Sequence, residues 1–190
     1  MRKIGIYGGT FDPIHHGHLI LAREASESLG LETLIFVPTA VSPHKQTRPA
    51  TAQEIRVEML QSAIKGEPNF ALDLCEIHRG GPSYTIDTVQ EIRLREGEAE
   101  YFFLLGDDNV SQLKTWHRFN ELRELVQFVI LSRGNLETEK TRYPVVRRQI
   151  NISATDIRNR VATGRSIRYL VPPEVEEIIR RRQIYQEQDK

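Results

Sequence analysis

Two histidines three residues apart, His15 and His18, close a stretch that opens on paired glycines: Gly8-Gly9-Thr10-Phe11-Asp12-Pro13-Ile14-His15-His16-Gly17-His18. Imidazoles can donate hydrogen bonds to the oxygens of a reacting phosphate, and glycines let the backbone approach an anion closely. The stretch follows the apolar run Ile4-Gly5-Ile6-Tyr7, which reads as a buried strand. It precedes Leu19 to Leu29, whose apolar spacing predicts a helix with Gly30 as its stop. Strand, glycine turn and helix make an anion site, because unpaired amides at the helix start carry the positive end of its dipole. Residues three apart on a helical turn share a face, so both imidazoles are expected to address the same phosphate. The spacing is not the dinucleotide fingerprint, which needs a third glycine, nor the P-loop, which needs Gly-Lys-Ser/Thr. A structural zinc site lacks thiolate partners, and no sequence-near carboxylate pair lies beyond Asp12.

Further along, four segments could serve the same site. Ser153-x-x-Asp156 reads as a capping box whose helix offers free amides in its first turn, with Arg158 on that turn. Gly80-Gly81-Pro82-Ser83-Tyr84-Thr85 is another turn-to-helix junction, opening a helix expected from about Ile86 to Arg95. Gly106-Asp107-Asp108 ends the apolar run Tyr101 to Leu105 and places two acids at a strand end. Pro38 to Ala50, with His44 and Lys45, is polar and irregular and reads as a flexible ligand loop.

The elements that must position these residues alternate. Thr33 to Val37, Tyr101 to Leu105 and Phe128 to Leu131 are apolar runs of strand length, as expected of strands covered on both faces. Phe70 to Leu74 alternates and suggests an edge strand, and Val145 to Ile152 reads as a short, more polar strand. Between them lie helices. Thr51-x-x-Glu54 looks like a capping box for one running to Ile64, with Ile55, Met59, Leu60 and Ala63 as its apolar stripe. Asn120 to Leu125 is a short helix, and Pro172-Pro173-Glu174 starts a last one, with Val175, Ile178 and Ile179 facing inward. Strands alternating with helices predict an α/β fold: a doubly wound, Rossmann-like parallel sheet of five to six strands, helices on both faces, and a small C-terminal helical part. Ligands of such sheets bind beyond the carboxyl ends of the strands, where Gly8, Pro38 and Gly106 all fall.

Length and charge set bounds. The 190 residues fit one domain, 1–190. Twenty-six basic and twenty-six acidic side chains cancel, so no global field argues for nucleic acid or a membrane as partner. A single cysteine, Cys75, excludes an internal disulfide and fits a reducing compartment, and no apolar stretch reaches membrane-span length. The expectation is a cytoplasmic protein with small-molecule substrates; homo-oligomerisation is left open.

The first motif resembles the signature of the nucleotidyltransferases that share His-x-Gly-His, and together with the later segments it is similar to the bacterial nicotinate-nucleotide adenylyltransferases. That resemblance implies adenylyl transfer from ATP, carried with Mg2+, to nicotinate mononucleotide. It implies an ATP site of Gly8, Gly9, Thr10, Phe11, His15, His18, Gly106, Asp108, Ser153, Thr155 and Arg158, with Asp108 accepting from the ribose. It implies an acceptor site of Thr39, His44, Lys45, Tyr84, Thr85, Trp116 and His117, the indole stacking on the pyridine ring. Catalysis would rest on His15, His18, Lys45 and Arg158, and no resident metal is implied. Relatives often carry asparagine at position 39 and serine at 154, where this chain has Thr39 and Ala154. Core packing is the competing role for Trp116, and plain helix capping for Thr85. The first motif also occurs in phosphopantetheine adenylyltransferases and glycerol-phosphate cytidylyltransferases, and a similar turn in tRNA-binding synthetases. Ser83 to Thr85, Trp116 and Ser153 to Arg158 favour nicotinate mononucleotide, and zero net charge argues against tRNA.

Overall fold

A computed structural model describes residues 1–41, 50–134 and 141–186. Six strands form one sheet: β1 (Lys3–Gly9), β2 (Thr33–Pro38), β3 (Phe70–Leu72), β4 (Glu100–Gly106), β5 (Gln127–Ser132) and β6 (Val145–Arg147). Their order is β3-β2-β1-β4-β5-β6, and every neighbouring pair is parallel. This is the doubly wound α/β architecture the alternation predicts. The direction of winding reverses between β1 and β4, and the crevice beyond their carboxyl ends is where such sheets take ligands.

Helices cover both faces because successive strand residues point opposite ways. Leu34, Phe36, Phe102, Leu104, Val129 and Leu131 face one apolar cluster. It is covered by α1 (His16–Leu29), α2 (Gln53–Ile64), α6 (Ala154–Ala162) and α7 (Pro173–Arg181). Ile4, Ile6, Ile35, Phe103, Phe128 and Ile130 face the other, under α3 (Cys75–Arg79), α4 (Thr85–Glu96) and α5 (Phe119–Leu125). Gly30 ends α1 in the left-handed region at φ 64°, its amide and that of Leu31 closing on Glu27 and Ser26 carbonyls. Among the described residues no helix is long and apolar enough to cross a membrane.

Several local expectations change. The first helix starts at His16 rather than Leu19, so His18 lies within its first turn. The Thr51 capping box does not form: α2 begins at Gln53 with no side-chain cap, because Thr51's amide donates to the Asp12 carboxylate at 3.2 Å and its carbonyl accepts from Arg56 at 2.9 Å. The buried stripe of α2 is Arg56, Met59, Leu60 and Ile64, with Ile55 and Ala63 at its flank. The edge strand stops at Leu72, since the Asp73 carboxylate turns back to accept from the Cys75 amide at 2.9 Å and opens α3. The last strand stops at Arg147 as the chain leaves for α6. Asp107 and Asp108, read only as an acidic strand end, open a 3-10 helix, Asp107–Thr115. At the end of α7, Arg181 and Arg182 pair with Glu58 of α2.

Candidate active site

The turn after β1 is built from the backbone outward. Thr39, just past β2, donates its amide to the Gly9 carbonyl at 2.9 Å and so ties the two strand ends together. Behind them lies Arg56, 2% exposed. Its guanidinium donates from Nε to the Thr51 carbonyl (2.9 Å), from Nη1 to that of Thr10 (2.8 Å) and from Nη2 to that of Thr39 (2.9 Å). One planar fork thereby fixes the glycine turn, the end of β2 and the approach to α2. Phe11, in the left-handed region at φ 48°, turns its buried ring onto Tyr7, Phe36 and His18. It backs His18 and also lines the cleft described below.

His15 and His18 stack, ring centroids 3.7 Å apart and planes 24° from parallel. His15, at 1% exposure, lies beneath and His18 is half-buried. Burial, then the nearby positive charges of Arg133 and His16, push the His15 imidazole down to about 3, so it is neutral at physiological pH. A neutral imidazole still donates through one ring N–H. Its Nδ1 is buried with no hydrogen-bond partner among the described residues. Gly17 makes the stack possible: a Cβ there would stand 3.0 Å from the His15 ring and 3.3 Å from the Ile152 carbonyl. The helix start is less open than its sequence suggests. The His16 amide donates to the Leu170 carbonyl at 3.0 Å, and that of His18 to the His15 carbonyl at 2.9 Å.

Across the cleft, Ser153 caps α6, its hydroxyl accepting from the Asp156 amide at 3.1 Å as its spacing predicts. Arg158 donates from Nη1 to the Asp12 carbonyl at 2.7 Å and from Nη2 to the Thr155 hydroxyl at 3.1 Å, while its Nε is buried without a partner among the described residues. Between these walls lies a cleft of about 670 Å³, lined also by Gly8, Gly9, Thr10, Thr39, Gly106 and Asp108. Asp108 sits so close over Gly106 that a Cβ there would meet its carboxylate at 2.5 Å. Asp107 instead accepts from the buried Ser132 hydroxyl at 2.9 Å, joining the ends of β4 and β5.

Among the lining residues that escaped the sequence reading are two arginines. Arg56 carries a signal that could have been read, a charge inside an apolar helical stripe. Arg133, just past β5, donates to the Ile152 carbonyl at 2.9 Å and brings positive charge beside His15; nothing local distinguished it from any strand-end arginine.

Of the acceptor-side residues Thr39 lines this cleft, while Tyr84, Thr85, Trp116 and His117 lie beside it rather than in its lining. The Tyr84 and His117 rings lie 4.4 Å apart, and the half-buried Trp116 meets Phe103 edge-on at 5.8 Å. Thr85 is the first residue of α4. This patch is tied to the cleft through Ser83, whose hydroxyl accepts from the Ala40 amide at 3.0 Å. Beneath it Glu76 is buried, which raises its carboxyl above the usual range, and it accepts from Thr88 at 2.8 Å. His44 and Lys45 lie outside the described residues.

The cytidylyltransferase-like family matches residues 6–160. The chain is 39% identical to the nicotinate-nucleotide adenylyltransferase of Bacillus subtilis, over 98% of this chain and 100% of that one. It is 44% identical to a Geobacillus thermodenitrificans protein named "Probable nicotinate-nucleotide adenylyltransferase", over 97% of this chain and 87% of the relative. Among solved structures, Plasmodium falciparum nicotinic acid mononucleotide adenylyltransferase complexed with NaAD superimposes with a TM-score of 0.81 at 19% identity, over 97% of this chain and 98% of that one.

Proposed function

The chain belongs to the cytidylyltransferase-like family and, within it, to the nicotinate-nucleotide adenylyltransferases, and we propose that its cleft joins ATP to nicotinate mononucleotide, giving deamido-NAD and pyrophosphate in NAD biosynthesis. The observation that carries this reading is a convergence. The stacked His15–His18 pair at the start of α1 and Arg158 on α6 meet at one turn, with Arg158 bonded to Asp12.

A phosphate oxygen of the mononucleotide attacks the α-phosphorus in line; the bond from that phosphorus to the bridging oxygen breaks, and pyrophosphate leaves. No covalent enzyme intermediate is required. The work is then to hold two anions in contact and to stabilise charge growing on the phosphoryl oxygens. His18, with the neutral His15 stacked beneath it, supplies hydrogen bonds to those oxygens. Arg158 and the first turn of α6, with Ser153 and Thr155, hold the triphosphate and the departing pyrophosphate. The amides of Gly8 to Thr10 and the Asp108 carboxylate serve the nucleotide from the other wall. Lys45 is assigned to neutralise the attacking phosphate, His44 and Thr39 are assigned to the same substrate, and Tyr84, Thr85, Trp116 and His117 receive the pyridine end. Mg2+ would arrive with ATP, held largely by phosphate oxygens and water. A cytoplasmic location fits this reading, as does the single cysteine.

Pyrophosphate release tests this. ATP should be offered with nicotinate mononucleotide, nicotinamide mononucleotide or phosphopantetheine, and CTP with each in turn. The highest kcat/KM is expected for ATP with nicotinate mononucleotide; a higher value for any other pair would reassign the acceptor or the donor.

A further inference from the structure

After α7 the chain does not simply leave the surface. Gln183 and Tyr185 both take left-handed backbone conformations, φ 50° and 65°, which L side chains adopt only where other contacts repay the strain. The repayment is visible at Tyr185. Its ring is 8% exposed, and its hydroxyl donates to Oδ1 of Asp12, itself 8% exposed. The other oxygen of that carboxylate accepts from the Thr51 amide at 3.2 Å, and the Asp12 carbonyl accepts from Arg158. One residue of the phosphate-binding turn is therefore held from three directions: the C-terminal segment, the approach to α2 and the first turn of α6. Arg56 braces the same turn through Thr10 and Thr51.

We propose that Tyr185 is a positioning residue for ATP, acting through Asp12: its hydroxyl fixes the carboxylate that orients the glycine turn and, through the Asp12 carbonyl, the Arg158 guanidinium. The assignment of Arg158 to ATP is that of the proposed function and this inference rests on it. Without the hydroxyl, a buried carboxylate oxygen is left unsatisfied beside the nucleotide. The turn must then shift to reach water or another donor, carrying the Arg158 contact with it.

The test is a double-mutant cycle of Tyr185→Phe and Asp12→Ala, whose methyl group can accept from neither Tyr185 nor Thr51, read as the equilibrium Kd for ATP alone, with no acceptor present, and as the two KM values in turnover. Tyr185→Phe should weaken ATP by about five- to tenfold, leave the KM for the mononucleotide unchanged, and cost nothing further in the Asp12→Ala background. A merely structural role would lower kcat through the active fraction and move neither KM nor Kd. That result, or losses that multiply in the double variant, would overturn the proposal. Should Tyr185→Phe be unfolded at assay temperature, Asp12→Ala decides alone, since wild-type ATP affinity in that variant removes the intermediary. Because ATP binding is measured without acceptor, failure of nicotinate mononucleotide as substrate would show in the wild-type turnover and leave the cycle readable.

Discussion

Arg158 donates to the backbone carbonyl of Asp12 at 2.7 Å, joining the first turn of α6 to the glycine turn that precedes α1. The contact uses one N–H of Nη1, and Nη2 holds Thr155 with one of its own, so each terminal nitrogen keeps a second N–H for a ligand in the cleft that Arg158 lines. A lysine at this position would keep the charge but could not keep the turn and reach phosphate together. Arg158→Lys should therefore raise the KM for ATP about 10- to 100-fold, the range for losing one charged hydrogen bond, with the mononucleotide KM little changed. Initial-rate kinetics with each substrate varied in turn would check it; equal shifts for both would detach Arg158 from ATP.

The imidazole pair makes a second expectation. His18→Ala should lower kcat by about 10²-fold or more, the scale for removing one donor to a developing oxyanion. Gly17→Ala should cost activity too, although it removes no imidazole, because its methyl group would press on the His15 ring and the Ile152 carbonyl. Wild-type turnover in His18→Ala would take that histidine out of the mechanism.

How far the sequence foretold this depends on whether the cause is local. The two-sided apolar strands and the Ser153 cap follow from patterns within a few residues, and they stand where the patterns put them. Thr51 had the same local pattern as Ser153 and no cap forms, because its amide and carbonyl are claimed by Asp12 and Arg56 from other segments. The five residues of α3 and the polar 3-10 helix after β4 are too short or too polar to leave a periodicity. Arg133 and Tyr185 enter the site's surroundings only through contacts across the fold, Tyr185 from beyond the last helix. Tertiary hydrogen bonds, which no spacing encodes, account for most of what was missed.

The neutral His15 gives the protein an acid-side weakness. In the unfolded chain the imidazole takes up a proton near its ordinary value of 6.5; in the folded protein it does so only near 3. Between these values the unfolded state binds more protons, so stability is fully present above the upper value and falls as pH drops toward the lower one, by up to about 1.4 kcal/mol per pH unit. Denaturant midpoints measured from about pH 6.5 down to about pH 5, above most carboxylate titrations, should fall for the wild type and fall less steeply for His15→Gln. Identical slopes would mean that His15 is protonated in the folded state.

Arg56 should matter to stability before it matters to chemistry. Its three carbonyl contacts need a planar fork, and the side chain is almost wholly enclosed. Arg56→Lys would strand at least one buried carbonyl, so unfolding free energy should drop by about 1.5–3 kcal/mol. The ATP KM should rise with it, because Thr10 sits in the turn the fork holds. Urea denaturation at neutral pH reads the first effect and initial rates the second; an unchanged midpoint would mean that the lysine or water replaces every lost contact.

Trp116 decides how the acceptor is held. Phe103 meets the indole edge-on at 5.8 Å, and the residue is only half-buried, so both a packing and a stacking role are open to it. If the pyridine ring stacks there, Trp116→Ala should raise the KM for nicotinate mononucleotide about tenfold, the scale for losing one base–aromatic stack, while the ATP KM stays near wild type. Trp116→Phe, which keeps an aromatic face, should recover most of the loss. Truncation of a core tryptophan would behave differently. It would lower the thermal midpoint and kcat, treat both substrates alike, and be repaired by phenylalanine only as far as volume is restored. The ratio of the two KM values in the alanine variant therefore separates a stacking platform from a packing residue, whatever either variant does to stability.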